Sequence, residues 1–234
     1  MREQKSSPRV LTLVCAAFAA VACGSGTAPD PGEDFRLDVQ NHINQMGADS
    51  TATENYWAVF YVRAPTYISP GDLAQILAMQ VVWPDSALVT PVQPDFQRTA
   101  DGLTASEALR QDGVLVGGTY TLKVGFGDGR HVRQQTEYDG HLIGHPLVRS
   151  LLPSPGGVAL TWVAPSVPHT YRLLLQAGNT TSTSSVEGQT SGGETITLGV
   201  HHTLSAGVSY QLVLLMYDED NQRAVYIPFD YPGS

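Results

Sequence analysis

The sequence from residue 56 onward is a succession of short runs rich in Val, Ile, Leu, Tyr, Trp and Thr, separated by Pro, Gly and Asp. Runs of about four to eight such residues between turn-forming residues are typical of β-strands. The clearest are residues 56–63, 120–126, 158–163, 171–176 and 210–217. A chain interrupted this often has little room for long helices. The pattern therefore predicts an all-β fold.

Two segments allow either a helix or a strand. In residues 35–46, Phe35 and Val39 are four positions apart, as on one helix face, yet every second residue is also apolar at first, as in a strand. Residues 73–82 suit either structure, and Ser69 is placed to cap a helix there. The pattern does not decide between a helix and a strand for either segment.

The chain contains an internal repeat of two segments in the same order. Residues 69–73 (SPGDL) recur as 154–158 (SPGGV), and residues 118–124 (GTYTLKV) recur as 207–213 (GVSYQLV). Both pairs are separated by roughly 90 residues, which is close to the size of one immunoglobulin-like sandwich. The repeat therefore predicts two similar β-modules in tandem.

The second unit resembles a fibronectin type III domain. Residues 158–165 (VALTWVAP) look like the second strand of that family, with Trp162 as its core tryptophan. Residues 204–210 (LSAGVSY) resemble the family's L-x-P-G-x-x-Y segment, with Ala206 in place of the usual proline. The resemblance implies that Tyr210 forms a tyrosine corner, in which the hydroxyl group bonds back to the backbone.

The predicted modules are residues 35–145, an immunoglobulin-like sandwich with an N-terminal extension, and residues 146–234, the fibronectin type III-like sandwich. Residues 93–113 form a long polar stretch in the first module that a minimal sandwich does not need. Such excess length indicates either a binding loop or a decorated sheet edge.

The N-terminus has the pattern of an export signal. Arg2, Lys5 and Arg9 precede an uncharged apolar run at residues 10–22, which is shorter than the roughly 20 residues that a membrane-spanning helix needs. A basic segment, a short apolar segment and small residues at its end are typical of a secretory signal. Residues 1–22 are therefore predicted to be a signal peptide.

Residues 20–24 (AVACG) resemble the lipobox of bacterial lipoproteins, with Ala20 where that family more often has leucine. The resemblance implies cleavage before Cys23 and anchoring to a membrane of the cell envelope through acyl chains on that cysteine. Gly24 is not the aspartate that retains enteric lipoproteins at the inner membrane, which favours the outer membrane if the organism is Gram-negative. Ordinary secretion after Ala22 is the alternative.

The segment after the cysteine is predicted to be a flexible tether. Residues 23–34 (CGSGTAPDPGED) consist mainly of Gly, Ser, Pro and acidic residues, which cannot bury enough apolar surface to offset the entropy of ordering. The predicted fold is thus all-β, with two tandem immunoglobulin-like (fibronectin type III-like) β-sandwiches following a signal peptide and this tether.

Charge and motif content argue against several functions. The chain has a formal net charge of −9, which disfavours nucleic acid as a partner. No G-x-S-x-G or phosphate-loop sequence is present. His141 and His145 are four residues apart, but Gly144 and Pro146 argue against the helix that zinc binding at this spacing needs. Residues 218–220 (DED) are interpreted as a solvated turn rather than a calcium site. We expect no cofactor, no metal site and no catalytic activity.

The leading hypothesis is therefore a non-catalytic envelope lipoprotein that acts in binding, adhesion or scaffolding, with a protein or a glycan as its ligand. The alternative is a carbohydrate-binding accessory protein or weak glycan hydrolase that uses the first module. Trp57, Trp83 and Tyr67 are the candidate residues for stacking on sugars. An aromatic groove holding two carboxylates about 5 to 10 Å apart would favour this alternative.

Overall fold

The structure is a computed structural model that describes residues 35–49, 52–66, 68–86, 88–100, 102–177 and 184–232. In this part of the chain it contains strands and one short helix: β1 (Arg36–Met46), β2 (Thr53–Arg63), α1 (Pro70–Leu73), β3 (Ile76–Val82), β4 (Val89–Val92), β5 (Gln97–Thr99), β6 (Gly102–Gln111), β7 (Gly118–Phe126), β8 (His131–Tyr138), β9 (Leu147–Ser154), β10 (Gly157–Val163), β11 (His169–Ala177), β12 (Ser184–Thr190), β13 (Thr195–His201), β14 (Val208–Tyr217) and β15 (Asn221–Tyr231). The all-β prediction is confirmed. The predicted signal peptide, the tether, Cys23 and Tyr67 lie outside the described residues.

The two ambiguous segments resolve differently. Residues 36–46 form strand β1, whose residues alternate regularly between buried and partly exposed positions. Residues 73–82 are divided between the end of helix α1 and strand β3. Ser69 caps the helix as expected, because its Oγ accepts a hydrogen bond from the Asp72 amide at 3.1 Å.

The strands form three sheets. A large sheet has the order β12-β11-β14-β15-β1-β2-β6-β5, a four-stranded sheet has the order β4-β3-β7-β8, and a three-stranded sheet has the order β13-β10-β9. The four-stranded sheet packs on the β1-β2-β6 part of the large sheet around one hydrophobic core. The three-stranded sheet packs on the β11-β14-β15 part around a second core. The result is two sandwiches that share one layer.

Strand β1 belongs to both sandwiches. It pairs antiparallel with β2 along its whole length, and its residues 41–46 also pair in parallel with residues 221–226 of β15. Without β1, strand β15 would present a row of unpaired backbone groups at a sheet edge. The sequence did not predict this pairing.

Both cores lie on the same face of the large sheet. Val39 of β1 belongs to the first core and Val225 of β15 to the second. Gln45 shares a face with Val39 because side chains alternate along a strand, and Gln45 lies directly opposite Val225. The opposite face of the large sheet, called the outer face below, is covered by none of the elements in the described ranges.

The cores are rich in aromatic residues. In the first, Phe60, Trp83 and Tyr120 pack with ring centroids 5.6 to 6.0 Å apart. In the second, Trp162 is fully buried and meets the Tyr171 ring edge-on at 5.4 Å. Burying one such side chain contributes about 1.5–3 kcal/mol, so these clusters supply much of the driving force for folding.

The tyrosine corner forms in both modules. The Tyr210 hydroxyl accepts a hydrogen bond from the Ser205 amide at 2.8 Å, although Ala206 replaces the usual proline. At the repeated position, the Tyr120 hydroxyl donates to the Val116 carbonyl at 2.8 Å. Each contact fixes the chain just before a long strand of its module. The internal repeat therefore corresponds to a repeated structural device.

The polar stretch at residues 93–113 is mainly a decorated edge. It contains β5 and the whole of the ten-residue strand β6, which extend the large sheet beyond β2. Ile143, which the predicted division assigns to the first module, is 1% exposed and packs in the second core. The module boundaries stay predictions.

Candidate functional site

A groove of about 540 Å³ lies where residues 93–99 border the outer face of the first module. It is lined by side chains that are nearly all polar or charged: Asp38, Gln40, Tyr61, Arg63, Gln93, Asp95, Gln97, Thr99, Thr104, Ser106 and Glu107. Its size is within the range of about 300–1,000 Å³ typical of small-molecule sites. We refer to it as the outer-face groove.

The register of the strands determines which side chains form the floor of the groove. Asp38, Tyr61 and Ser106 lie side by side on β1, β2 and β6. Phe60 and Val62 on either side of Tyr61 point into the first core, so Tyr61 must point outward. The alternation that builds the core thus also exposes this row.

The groove carries both signs of charge. Arg63 forms an ion pair with Asp38 at 2.7 Å, with both side chains partly exposed. Asp95 and Glu107 add two further carboxylates. Burial raises the pKa of the Tyr61 phenol, so this hydroxyl stays protonated and can donate a hydrogen bond at neutral pH. The groove is therefore moderately acidic and offers both donors and acceptors.

Trp57 and Trp83 do not line this groove, and the third predicted aromatic residue, Tyr67, lies outside the described residues. Trp83 is 7% exposed, and its indole NH donates to Thr90 at 2.9 Å inside the first core. Trp83 therefore cannot stack on a sugar as predicted, because the first core encloses its ring. Trp57 lies on the outer face beside His42 and Arg110, half-buried but away from the groove. The period-two alternation of β2 was the signal that could have singled out Tyr61.

A second polar cluster lies where the two modules meet. His141 contacts Asp139 through Nδ1 at 2.5 Å and Asp218 through Nε2 at 2.9 Å. Burial lowers the pKa of His141, but the hydrogen bonds and charges of Asp218 and Asp139 outweigh it and raise that pKa overall. Ligand atoms of Asp139, His141 and Asp220 lie within 4.8 Å of one another. The contacts of the His141 imidazole with Asp139 and Asp218 account for this arrangement.

His145 does not join His141. Its ring contacts Gln45 at 3.0 Å and Glu54 at 3.4 Å, whereas His141 contacts Asp139 and Asp218. The two histidines therefore serve different polar networks.

The described part of the chain is an all-β protein whose two sandwiches are built on one shared sheet. No protein-family model matches the sequence, and no curated protein matches it. No helix in the described ranges is long and apolar enough to cross a membrane.

Several solved structures are similar to the chain at low identity. A DUF3823 family protein from Bacteroides uniformis has 11% identity and a TM-score of 0.32, with 84% of this chain and 100% of that chain covered. The FN1–FN3 domains of chicken CNTN1 have 11% identity and a TM-score of 0.38, with 84% and 69% covered. The BSP domain of a biofilm associated protein has 11% identity and a TM-score of 0.28, with 85% and 30% covered.

Proposed function

We propose that this protein is a lipid-anchored cell-envelope protein that acts as a non-catalytic binding module and uses the outer-face groove as its ligand-binding surface. The observation that carries this proposal is a concave polar site on a sheet face that is otherwise uncovered.

The composition of the groove favours binding over hydrolysis. A general acid works best as a carboxyl group that apolar surroundings keep protonated. Asp38 forms an ion pair with the Arg63 guanidinium instead, and Asp95 is exposed to solvent. The groove thus holds carboxylates suited to accepting hydrogen bonds from a ligand.

The proposed anchor also limits where the groove acts. Asp38 and Gln40 lie near the start of β1, and the predicted tether from Cys23 ends at residue 34. A dozen residues span at most about 40 Å when fully extended. The groove would therefore work close to the membrane surface.

The anchor is tested by replacing Cys23 with serine. Loss of the protein from the membrane fraction, with unchanged circular dichroism, is the expected result. Continued fractionation with membranes would contradict lipidation at this residue.

The binding role is tested with the native lipidated protein in phospholipid vesicles. Vesicles are mixed with envelope fragments from cells that lack this protein, and saturable attachment is measured. Ser106→Trp, which fills the groove, should abolish attachment. Ser185→Trp, the same change on exposed strand β12 of the second module, should leave it intact. Attachment that is absent, or equal in both variants, would overturn the proposal.

A further inference from the structure

We infer that the ligand of the outer-face groove is a neutral, polyhydroxylated glycan. This inference rests on the proposed function, because it names the ligand of that same site. Three properties of the groove support a glycan: the hydrogen-bonding character of its lining side chains, their charge, and the ring of Tyr61, the one aromatic residue among the described lining residues.

The lining combines donors and acceptors at short range. Carboxylates accept only, the Arg63 guanidinium donates only, and the amides and hydroxyls do both. The side chains of Gln93, Asp95 and Gln97 form no hydrogen bond to another residue of the described ranges, so their donors and acceptors are free for a ligand. A sugar hydroxyl can donate and accept hydrogen bonds at the same time. The several hydroxyls of a sugar therefore match the mixed donors and acceptors of the lining.

Tyr61 supplies the apolar contact that a sugar ring needs. It is half-buried in the floor between Asp38 and Ser106, and its hydroxyl bonds to no residue of the described chain. The face of a pyranose ring carries C–H groups, which pack on an aromatic ring, while its edge carries hydroxyls. Tyr61 therefore offers a surface to the ring and a donor to its edge.

Charge argues against an anionic ligand, and the lack of apolar anchors argues against a basic peptide. An anionic glycan or phosphate would meet Asp38, Asp95 and Glu107, with Arg63 as the one cationic side chain among the described lining residues. The acidic lining would attract a basic peptide, but among those residues it offers one aromatic ring where peptide-binding surfaces normally offer a cluster of apolar anchors. A neutral polyol carries no charge, so none of these charged side chains repels it.

The test uses the native lipidated protein in detergent micelles. Titration calorimetry measures binding of neutral oligomers of glucose, galactose, mannose and N-acetylglucosamine, with polygalacturonate as the anionic probe and oligolysine as the cationic one. We expect at least one neutral series to bind and both charged probes to fail. Binding of a charged probe alone overturns the inference.

Two tyrosine variants locate the site. Tyr61→Ala should weaken binding of the neutral oligomer roughly fivefold or more, whereas Tyr61→Phe, which keeps the ring, should retain most of it. Tyr226→Ala is the matched control, because Tyr226 is also a half-buried tyrosine of the outer face, on β15. If Tyr61→Ala does not fold, Ser106→Trp replaces it. Equal losses at both tyrosines, or none, would overturn the assignment.

The vesicle assay separates this inference from the proposed function. Groove-dependent attachment that the neutral oligomers compete away supports both. Groove-dependent attachment that they leave unchanged retains the binding function and refutes the glycan ligand. Absence of groove-dependent attachment refutes the function itself.

Discussion

The guanidinium group of Arg223 on β15 donates a hydrogen bond to the Glu54 carboxylate on β2, across the intervening strand β1. The same side chain donates to the Ile143 carbonyl at 2.8 Å and to the Gln45 amide oxygen at 3.2 Å. Only 4% of the Arg223 side chain and 14% of the Glu54 side chain are exposed. This buried ion pair therefore links the last strand of the second module to the first module.

Breaking the pair should be costly. Arg223→Met roughly keeps the volume but removes the guanidinium from the Glu54 carboxylate and from the Ile143 carbonyl, and we expect a loss of about 3 kcal/mol in the free energy of unfolding. Arg172→Met removes the comparable but exposed ion pair with Glu187 and should cost less than about 1 kcal/mol. Urea unfolding of both variants measures the difference. Similar losses would contradict a structural role for the buried pair.

The contribution of the pair should depend on acidity. Burial opposes ionisation of Glu54, but hydrogen bonds from Tyr56 and Arg223 outweigh it and hold its pKa below the ordinary value. A depressed pKa stabilises the folded state above the unfolded-state pKa, and this contribution is lost as pH falls through the folded-state pKa. The cost of Arg223→Met should therefore be largest at neutral pH and shrink below about pH 4. A constant cost from pH 7 to pH 3 would refute this explanation.

His42 should make the fold sensitive to mild acid. Burial on the outer face lowers its pKa from 6.5 to about 4, so the unfolded chain binds a proton at pH values where the folded chain does not. This stabilisation is present above pH 6.5 and is lost as pH falls toward 4. His42→Gln should reduce the loss of stability between pH 7 and pH 4, measured by urea unfolding. His201→Gln, at an exposed position of β13, is the control and should leave the pH profile unchanged.

His141 should act in the opposite direction. Although burial disfavours its charge, Asp218 and Asp139 raise its pKa above 6.5. The stabilisation is complete below the unfolded-state pKa and is lost as pH rises through the folded-state pKa. His141→Gln should therefore destabilise the protein more at pH 6 than at pH 9. An NMR titration of the His141 ring gives its pKa directly. A value below 6.5 would contradict stabilisation of the protonated ring by Asp139 and Asp218.

The two tyrosine corners should differ in strength. Tyr210→Phe leaves the Ser205 amide without its acceptor and should cost about 1–2 kcal/mol. Tyr120→Phe leaves only the carbonyl of Val116, a residue that is 65% exposed, and water can take the place of the lost donor. We expect the smaller loss there, measured by thermal and urea unfolding. A larger loss for Tyr120→Phe would contradict this comparison.

The sequence by itself determined the features that depend on local pattern. Short runs of β-forming residues between turn residues specified the strands around Phe60, Trp162 and Leu212, because strand propensity and turn formation depend mainly on neighbouring residues. The resemblance of residues 204–210 to the L-x-P-G-x-x-Y segment implied the tyrosine corner, and this contact is also local, because its partner Ser205 is five residues from Tyr210.

Only the tertiary structure decided how the modules join and where a ligand could bind. The pairing of Asn41 with Asn221 joins two segments, and neither sequence indicates that it pairs with the other. The parallel register depends on the packing of both cores on one face of the sheet. The same packing enclosed Trp83 and left Tyr61 outward beside Asp38. Aromatic content alone cannot distinguish a core residue from a groove residue, since that choice depends on which face of the sheet the second layer covers.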